Sequence, residues 1–438
     1  CYNPASRVAA EHLTRFSEEN ITFDSHYVAS APCMPARRDI FTGRINFLER
    51  NWGGMEPFDI TLIGTLREHG IFTHITTDHP HYFEIGGENY CQMFHTWNFE
   101  RGQEGDVWVS RVKGSDIPEP HYGKVNNQNQ LNRLAYTKEE EYPTPRTFRS
   151  ACDWIDSNRG ADDYFMMVEA FDPHEPFICP QEYRQLYEDE YEGAVFDWPA
   201  YRKTDSAEHR GEVGHIRKQY ASLISMCDRY LGKVLDAMDR YGLWRDTMLI
   251  VNTDHGFLLG EHDWWGKSIM PAYEEISHTP LFIYDPVSRI QNRRRMQLTS
   301  AIDIPATILD FHGLEIPEDM QGHSLLPVIR ENQKVRDTAL FGFHASHVAI
   351  TDGRYTYFRA PLYTQESNCY EYTLMPTRMR RPYSVETLRS AVLADPLPNS
   401  KGCPVLKTKS EICYVSPVNF GTRLFDVSVD PMQKKPVE

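Results

Sequence analysis

With 438 residues and 40% hydrophobic content, the chain can bury a large core, as one big α/β domain or two unequal ones, and is not a disordered protein. A formal charge of −16 excludes long-range attraction to nucleic acid or anionic membranes, so an anionic ligand has to be drawn in by a local cluster of cations. Nine cysteines without a CxxC pair or a close Cys/His cluster argue against a disulfide framework and a structural zinc site, and lean towards a reducing, cytoplasmic setting. No apolar run approaches the roughly 20 residues that span a bilayer, and no signal peptide opens the sequence.

In chain order, the first notable stretch is APCMPARRDIFTGR, residues 31–44. Its Cys33 can be read as a buried small hydrophobe, half of a disulfide, a metal ligand or a nucleophile. FDITLIGTLREHGIFTHITT then joins a helical run, a stop at Gly70 and a β-rich run, a βαβ rhythm. It leads into TTDHPHYFE, with Asp78, His79 and His81. The stretch DDYFMMVEAFDPHEPF predicts a buried strand ending near His174. Between Gly214 and Gly242, apolar residues at three- and four-residue steps predict a long amphipathic helix. The following run Met248 to Val251 predicts a buried parallel strand whose C-terminal end delivers Asp254 and His255, the place where open α/β sheets hold ligands. From about residue 336 the pattern turns to antiparallel strands, and residues 360–415, rich in Tyr, Pro and Arg, show no clear period. The expected organisation is a catalytic domain over 1–335 and a smaller subdomain over 336–438 carrying the insertion 360–415.

Cys33, Pro35 and Arg37, followed by Thr42 and Gly43, form C-x-P-x-R with T-G after it, which resembles the signature of the sulfatase family. The resemblance implies an alkaline-phosphatase-like α/β/α sandwich around a large mixed sheet, with a small antiparallel C-terminal subdomain. It also implies that a formylglycine-generating maturation enzyme oxidises Cys33 to an aldehyde. A hydrated aldehyde carries two hydroxyls: one attacks sulfur with help from a metal, and loss of the proton from the other expels sulfate. Arg37 would steady that diol. Asp254 and His255, with GFLLGEH and Lys267 after them, resemble the block in which the acid and its neighbour ligate a divalent cation and the lysine grips sulfate. Calcium is the favoured ion, with residue 33 as a third ligand, although an imidazole at 255 also suits manganese or zinc. His174 in DPHEPF resembles the histidine beside the scissile bond, acting as acid or base. Trp264 and Trp265 suit stacking on a sugar ring, so the expected substrate is a small-molecule or saccharide sulfate ester.

Two departures from the family pattern stand out. Where the family carries Gly-Lys-x-His, this sequence has Asp78, His79 and His81 without a lysine, and these become the substrate-side candidates. The Cys1-Tyr2 segment resembles one that follows the family's first strand, so two acidic metal ligands are expected to precede it. Two other readings stay open: a phosphonate or phosphate ester hydrolase of the same superfamily, and a silent binding or scaffold protein on this fold.

Overall fold

The computed structural model of the protein describes residues 7–117, 120–205, 207–208, 211–362, 369–410 and 420–437. Ile21–Phe23, buried at every position, runs parallel to Arg293–Arg295 on one side and antiparallel to Leu281–Tyr284 on the other. Leu249–Asn252 closes that four-stranded mixed sheet. This last strand stands where Met248 to Val251 had been expected, but it pairs antiparallel and lies half-buried at the edge, so the expectation of a buried parallel strand is corrected. An apolar run reports burial without the direction of its partner. Here Leu249 and Val251 pack towards Leu231 and Leu235 of the long helix, while Ile250 faces the main core.

A second sheet is all parallel: Phe72–Thr77 lies between Thr96–Phe99 and Tyr164–Glu169. Phe72–Thr77 is preceded, as the βαβ rhythm requires, by a helix at Leu62–Glu68. Its C-terminal end delivers Asp78 and His79, and the end of Tyr164–Glu169 delivers Glu169 and the loop to His174. The amphipathic helix spans Glu212–Tyr241 and stops at Gly242 in left-handed geometry, a usual C-terminal cap. Ile216, Leu223, Met226, Leu235 and Met238 line its buried face.

Beyond residue 336, Ala339–Phe343, Val348–Thr351, Tyr355–Arg359 and Arg423–Asp426 form an antiparallel run, with the alternating burial of a sheet solvated on one side. The run does not stop at the C-terminal part. Gly342 and Phe343 pair in parallel with Ser30 and Ala31, immediately before Cys33. Tyr27, Ala31, Phe341, Phe358 and Phe425 share one apolar cluster, so the sequence boundary near 336 is a change of texture inside shared packing. The described part of 360–415 also has structure: Tyr370–Thr373, Val405–Lys409 and Val392–Ala394 make a sheet, and Thr377–Arg378 with Arg381–Pro382 make a tight hairpin. Buried Arg50 ties it down, ion-paired to Glu56 and donating to the carbonyls of Met375 and Thr377 at 2.7 and 2.6 Å.

Candidate active site

Cys33 opens the helix Cys33–Thr42, where Pro35 sits in the first turn without breaking a helical hydrogen bond. Gly43 ends the helix at φ 64°, and a Cβ there would come 2.9 Å from Met320. Buried Asp39 fixes this helix to the preceding strand by accepting from Ser30 Oγ at 2.8 Å and from the Asn46 amide at 2.9 Å. Cys33 and Arg37, four residues apart, therefore share one face and reach the same pocket. Arg37 Nη1 donates to the Cys33 carbonyl at 3.1 Å.

Around Cys33 Sγ, which is 2% exposed, four segments converge. His255 Nε2 lies at 3.3 Å and His174 Nε2 at 3.9 Å. His255 donates its Nδ1–H to the Gly256 carbonyl at 2.8 Å, and His174 donates its Nδ1–H to the Glu175 carbonyl at 2.5 Å. Carbonyls only accept, so both rings turn an Nε2 lone pair towards Cys33. Burial lowers the pKa of both, keeping them neutral. Arg37 pairs with Glu169 and, at 2.5 Å, with Asp254 Oδ2. Against burial, the cations Arg37 and Lys267 hold Asp254 well below the usual carboxylate range. Lys267 Nζ is 3.4 Å from Glu175 Oε2; burial opposes its charge, but Cys33, Glu175, Asp254 and Glu104 outweigh that and raise its pKa. Burial pushes the Cys33 thiol up to about 11, so the encoded side chain is a thiol at neutral pH and a poor nucleophile as it stands.

Ligand atoms of Cys33, Asp254 and His255 lie within 4.8 Å of one another, the group among the described residues with metal-ligand geometry. Asp254 is ionised and His255 offers an unprotonated nitrogen, so these groups suit part of a divalent-cation site, with Arg37 sharing one oxygen of Asp254.

The substrate-side candidates separate. His79 is fully buried; its Nδ1 accepts from the His81 amide at 3.3 Å, which leaves a protonated Nε2 with no partner among the described residues. Burial lowers its pKa, and the cations Arg37 and Lys267 lower it further. His81 stands farther out, 5.0 Å from His79 by ring centroids. Asp78 is turned into the protein instead, accepting from the Phe171 amide at 2.6 Å, from Gln103 at 2.9 Å and from Thr144 at 3.2 Å. Trp265 is a core residue, 1% exposed, with its indole donating to Glu208 at 3.2 Å, which leaves it no ring face for a sugar. Trp264 packs against Phe420.

Sequence reasoning missed Glu169, Glu175 and Tyr201. Glu175 orients His174 and Lys267 and accepts from Tyr201 Oη at 2.5 Å. Its signal was its place beside His174 in DPHEPF. Glu169 had a weaker one, a carboxylate at the end of an otherwise apolar strand.

Comparison with known proteins bears on the whole chain. The Sulfatase family model matches residues 2–314, and the model for the C-terminal part of N-sulphoglucosamine sulphohydrolase matches 260–391. The second match extends the resemblance over residues 360–391, which had carried no recognised motif. An arylsulfatase of Clostridium perfringens is 25% identical over 392 residues, covering 78% of this chain and 79% of the relative. Among solved structures, the phosphonate monoester hydrolase of Agrobacterium radiobacter superposes with a TM-score of 0.69 at 18% identity, covering 100% of this chain and 88% of that one. A protein solved with its substrate D-glucosamine-2-N,6-O-disulfate gives a TM-score of 0.63 at 18% identity, covering 97% and 87%. These likenesses establish the alkaline-phosphatase-like α/β fold.

Proposed function

The chain belongs to the sulfatase family and is a hydrolase of sulfuric ester bonds, and from that premise we propose that residue 33, encoded as Cys33 and oxidised to formylglycine, is its nucleophile. The observation that carries this is the convergence of His174, His255, Asp254, Arg37 and Lys267 on one buried thiol whose own pKa is too high for thiolate chemistry. The hydrated aldehyde would supply an oxygen nucleophile, and a divalent ion held beside it would supply Lewis-acid chemistry, easing loss of its proton and drawing charge from the ester oxygens.

The remaining roles follow from side chains of this chain. Asp254, His255 and residue 33 would hold the ion; the family resemblance favours calcium, and metal analysis of the purified protein decides among calcium, manganese and zinc. Lys267 would bind sulfate oxygens, with Glu175 holding its ammonium in place. Arg37, anchored by Glu169 and Asp254, would fix the nucleophile against the helix. His174 would accept a proton at Nε2, the nitrogen left free by the Glu175 carbonyl, and return it to the leaving oxygen. His79 would donate its unpartnered Nε2–H to the substrate, in place of the lysine that this sequence lacks.

A saccharide sulfate is the proposed substrate. Support comes from the second matching family model, described for a sulphohydrolase of N-sulphoglucosamine, and from the aminosugar sulfate bound by the structural neighbour. Since Cys33 is 2% exposed, the maturation enzyme has to reach it before the chain closes around it.

The test is the mass of the Phe16–Arg37 peptide from protein made in a host with maturation machinery, followed by turnover of an aryl sulfate and an aryl phosphonate. The expected peptide has lost sulfur and two hydrogens and gained one oxygen, and Cys33→Ala lowers aryl sulfate turnover by about 10³ or more. An unmodified thiol, in a host that modifies a control sulfatase, overturns the proposal. Faster phosphonate than sulfate turnover moves the substrate to phosphorus and leaves the residue roles standing.

A further inference from the structure

The loops outside His79 and His174 hold a cluster of charged side chains that the reaction does not use. Arg380 Nη2 lies 3.1 Å from His81 Nε2 and 3.5 Å from Glu104 Oε2, and Arg380 Nε donates to Glu84 at 3.1 Å. Glu104 Oε2 is 3.5 Å from His81 Nε2, and its Oε1 is 3.9 Å from Lys124 Nζ. Through His81 the cluster borders His79, and the Glu104 carboxylate acts electrostatically on His174, Lys267 and Tyr201. It therefore stands beside the groups around Cys33, on the side of His79.

Backbone conformation sets this cluster apart from ordinary surface ion pairs. Glu104 and Arg380 both hold left-handed φ, 45° and 80°, which non-glycine residues rarely adopt and which tends to mark ligand sites. Each is pinned from elsewhere: Asn129 donates to the Glu104 carbonyl at 2.7 Å, and the Arg380 amide donates to the Ile85 carbonyl at 3.0 Å. Beside Arg380, Met379 enters the main core, and Gly87 leaves it room, since a Cβ there would come 2.5 Å from its methyl. The half-exposed Arg380 side chain thus stands on a fixed backbone.

Charge decides what such a wall can hold. The fixed cations Arg380 and Lys124 face the carboxylates Glu84 and Glu104, so it has no surplus charge for a second sulfate or a carboxylate. It offers acceptors and planar donors side by side, the pattern that pairs with adjacent ring hydroxyls, and Trp52 adds an apolar surface 5.9 Å below the guanidinium. Resting on the reading of this pocket as a sulfate ester hydrolase site, we propose that Glu104 and Arg380 determine specificity by gripping hydroxyls of an otherwise uncharged saccharide ring that carries the scissile sulfate.

The test compares wild type, Glu104→Gln, Arg380→Ala and Arg380→Lys on 4-nitrophenyl sulfate and on a panel of mono- and disulfated glucosamines whose amines are all acetylated or sulfated, with thermal midpoints measured on the same preparations. In Glu104→Gln and Arg380→Ala, the ratio of kcat/KM for the best monosulfated sugar over the aryl sulfate falls about tenfold, mainly through KM, and Arg380→Lys recovers part of it. Equal loss on both substrates overturns the proposal, as does turnover of aryl sulfate with none of any saccharide. A disulfated sugar preferred by wild type, with the preference removed in Arg380→Ala, also overturns it, because the wall then reads a second anion. Absence of aryl sulfate turnover in formylglycine-bearing protein defeats the underlying functional reading instead.

Discussion

The bottom and the outer wall of this pocket are built in different ways. At the bottom, Cys33 and Lys267 are 2% and 4% exposed, and the charges interlock at short range: Arg37 with Glu169 and Asp254, Lys267 with Glu175. Each of these side chains leaves a helix start or follows a strand end that the core holds rigid. In the outer wall, Glu104 and Arg380 come from loops, and their contacts to one another and to Lys124 stretch to 3.5 and 3.9 Å. Burying charge is costly unless it is paired, so the close-set pairs at the bottom leave little freedom for change, while the longer contacts of the half-exposed Arg380 and Lys124 contribute little to stability and can vary. Chemistry common to all sulfate esters suits the first environment; recognition of one substrate suits the second.

The largest test of that division is Lys267→Ala. Removing the ammonium from a water-poor site strips charge stabilisation from the transition state and leaves Glu175 unpaired, so kcat/KM should fall by about 10²–10³ on every sulfate ester, some 3–4 kcal/mol. Steady-state rates on aryl and saccharide sulfates check it; a loss confined to one substrate class would move Lys267 into the wall. His79→Phe comes next, keeping an aromatic ring while removing the Nε2–H that lacks a partner. A donor to a charged substrate contributes about 1.5–3 kcal/mol, so a loss of about ten- to a hundredfold is expected. An equal loss on aryl and saccharide sulfates assigns His79 to the bottom of the pocket; loss on saccharides alone assigns it to recognition.

The same division governs what could be read from the residues. Cys33 and Arg37 stand one helical turn apart, Asp254 and His255 are adjacent, and His174 sits in a short proline-bounded motif, so local spacing carried them. Arg380 meets His81 across 299 positions, and nothing in a Tyr- and Arg-rich segment says which arginine reaches the pocket. The long helix was legible from its period and its glycine cap, whereas the antiparallel pairing of Leu249–Asn252 was not, because an apolar run has the same pattern in either direction. Asp78 failed in the other sense. Its neighbours His79 and His81 suggested a shared task, but its carboxylate is fully engaged by Phe171, Gln103 and Thr144.

That engagement makes Asp78 the joint between the two regions, and it yields the smallest effect. Asp78 precedes His79, reaches the amide of Phe171 just before the His174 loop, and binds Gln103 beside Glu104. Thr144 spans Asp78 and Asp172, at 3.2 and 2.8 Å. Burial raises both carboxyls, Asp78 to about 6 and Asp172 to about 8, the latter helped by the charge of Asp78. The folded chain therefore keeps protons that the unfolded chain releases near pH 4. Their contribution is complete below that range and is lost as pH rises through the folded values, so this pair should cost about 3 kcal/mol of stability between pH 6 and pH 8. Asp172→Asn keeps the shape and an acceptor for Thr144 without the titration. Its urea midpoint should vary less with pH over that interval than the wild-type midpoint, and lie above it at pH 8. Parallel pH slopes in the two proteins would mean that Asp172 keeps no proton on folding, and that the two sides of the pocket are held together by packing around Phe171 rather than by the carboxyls that Thr144 bridges.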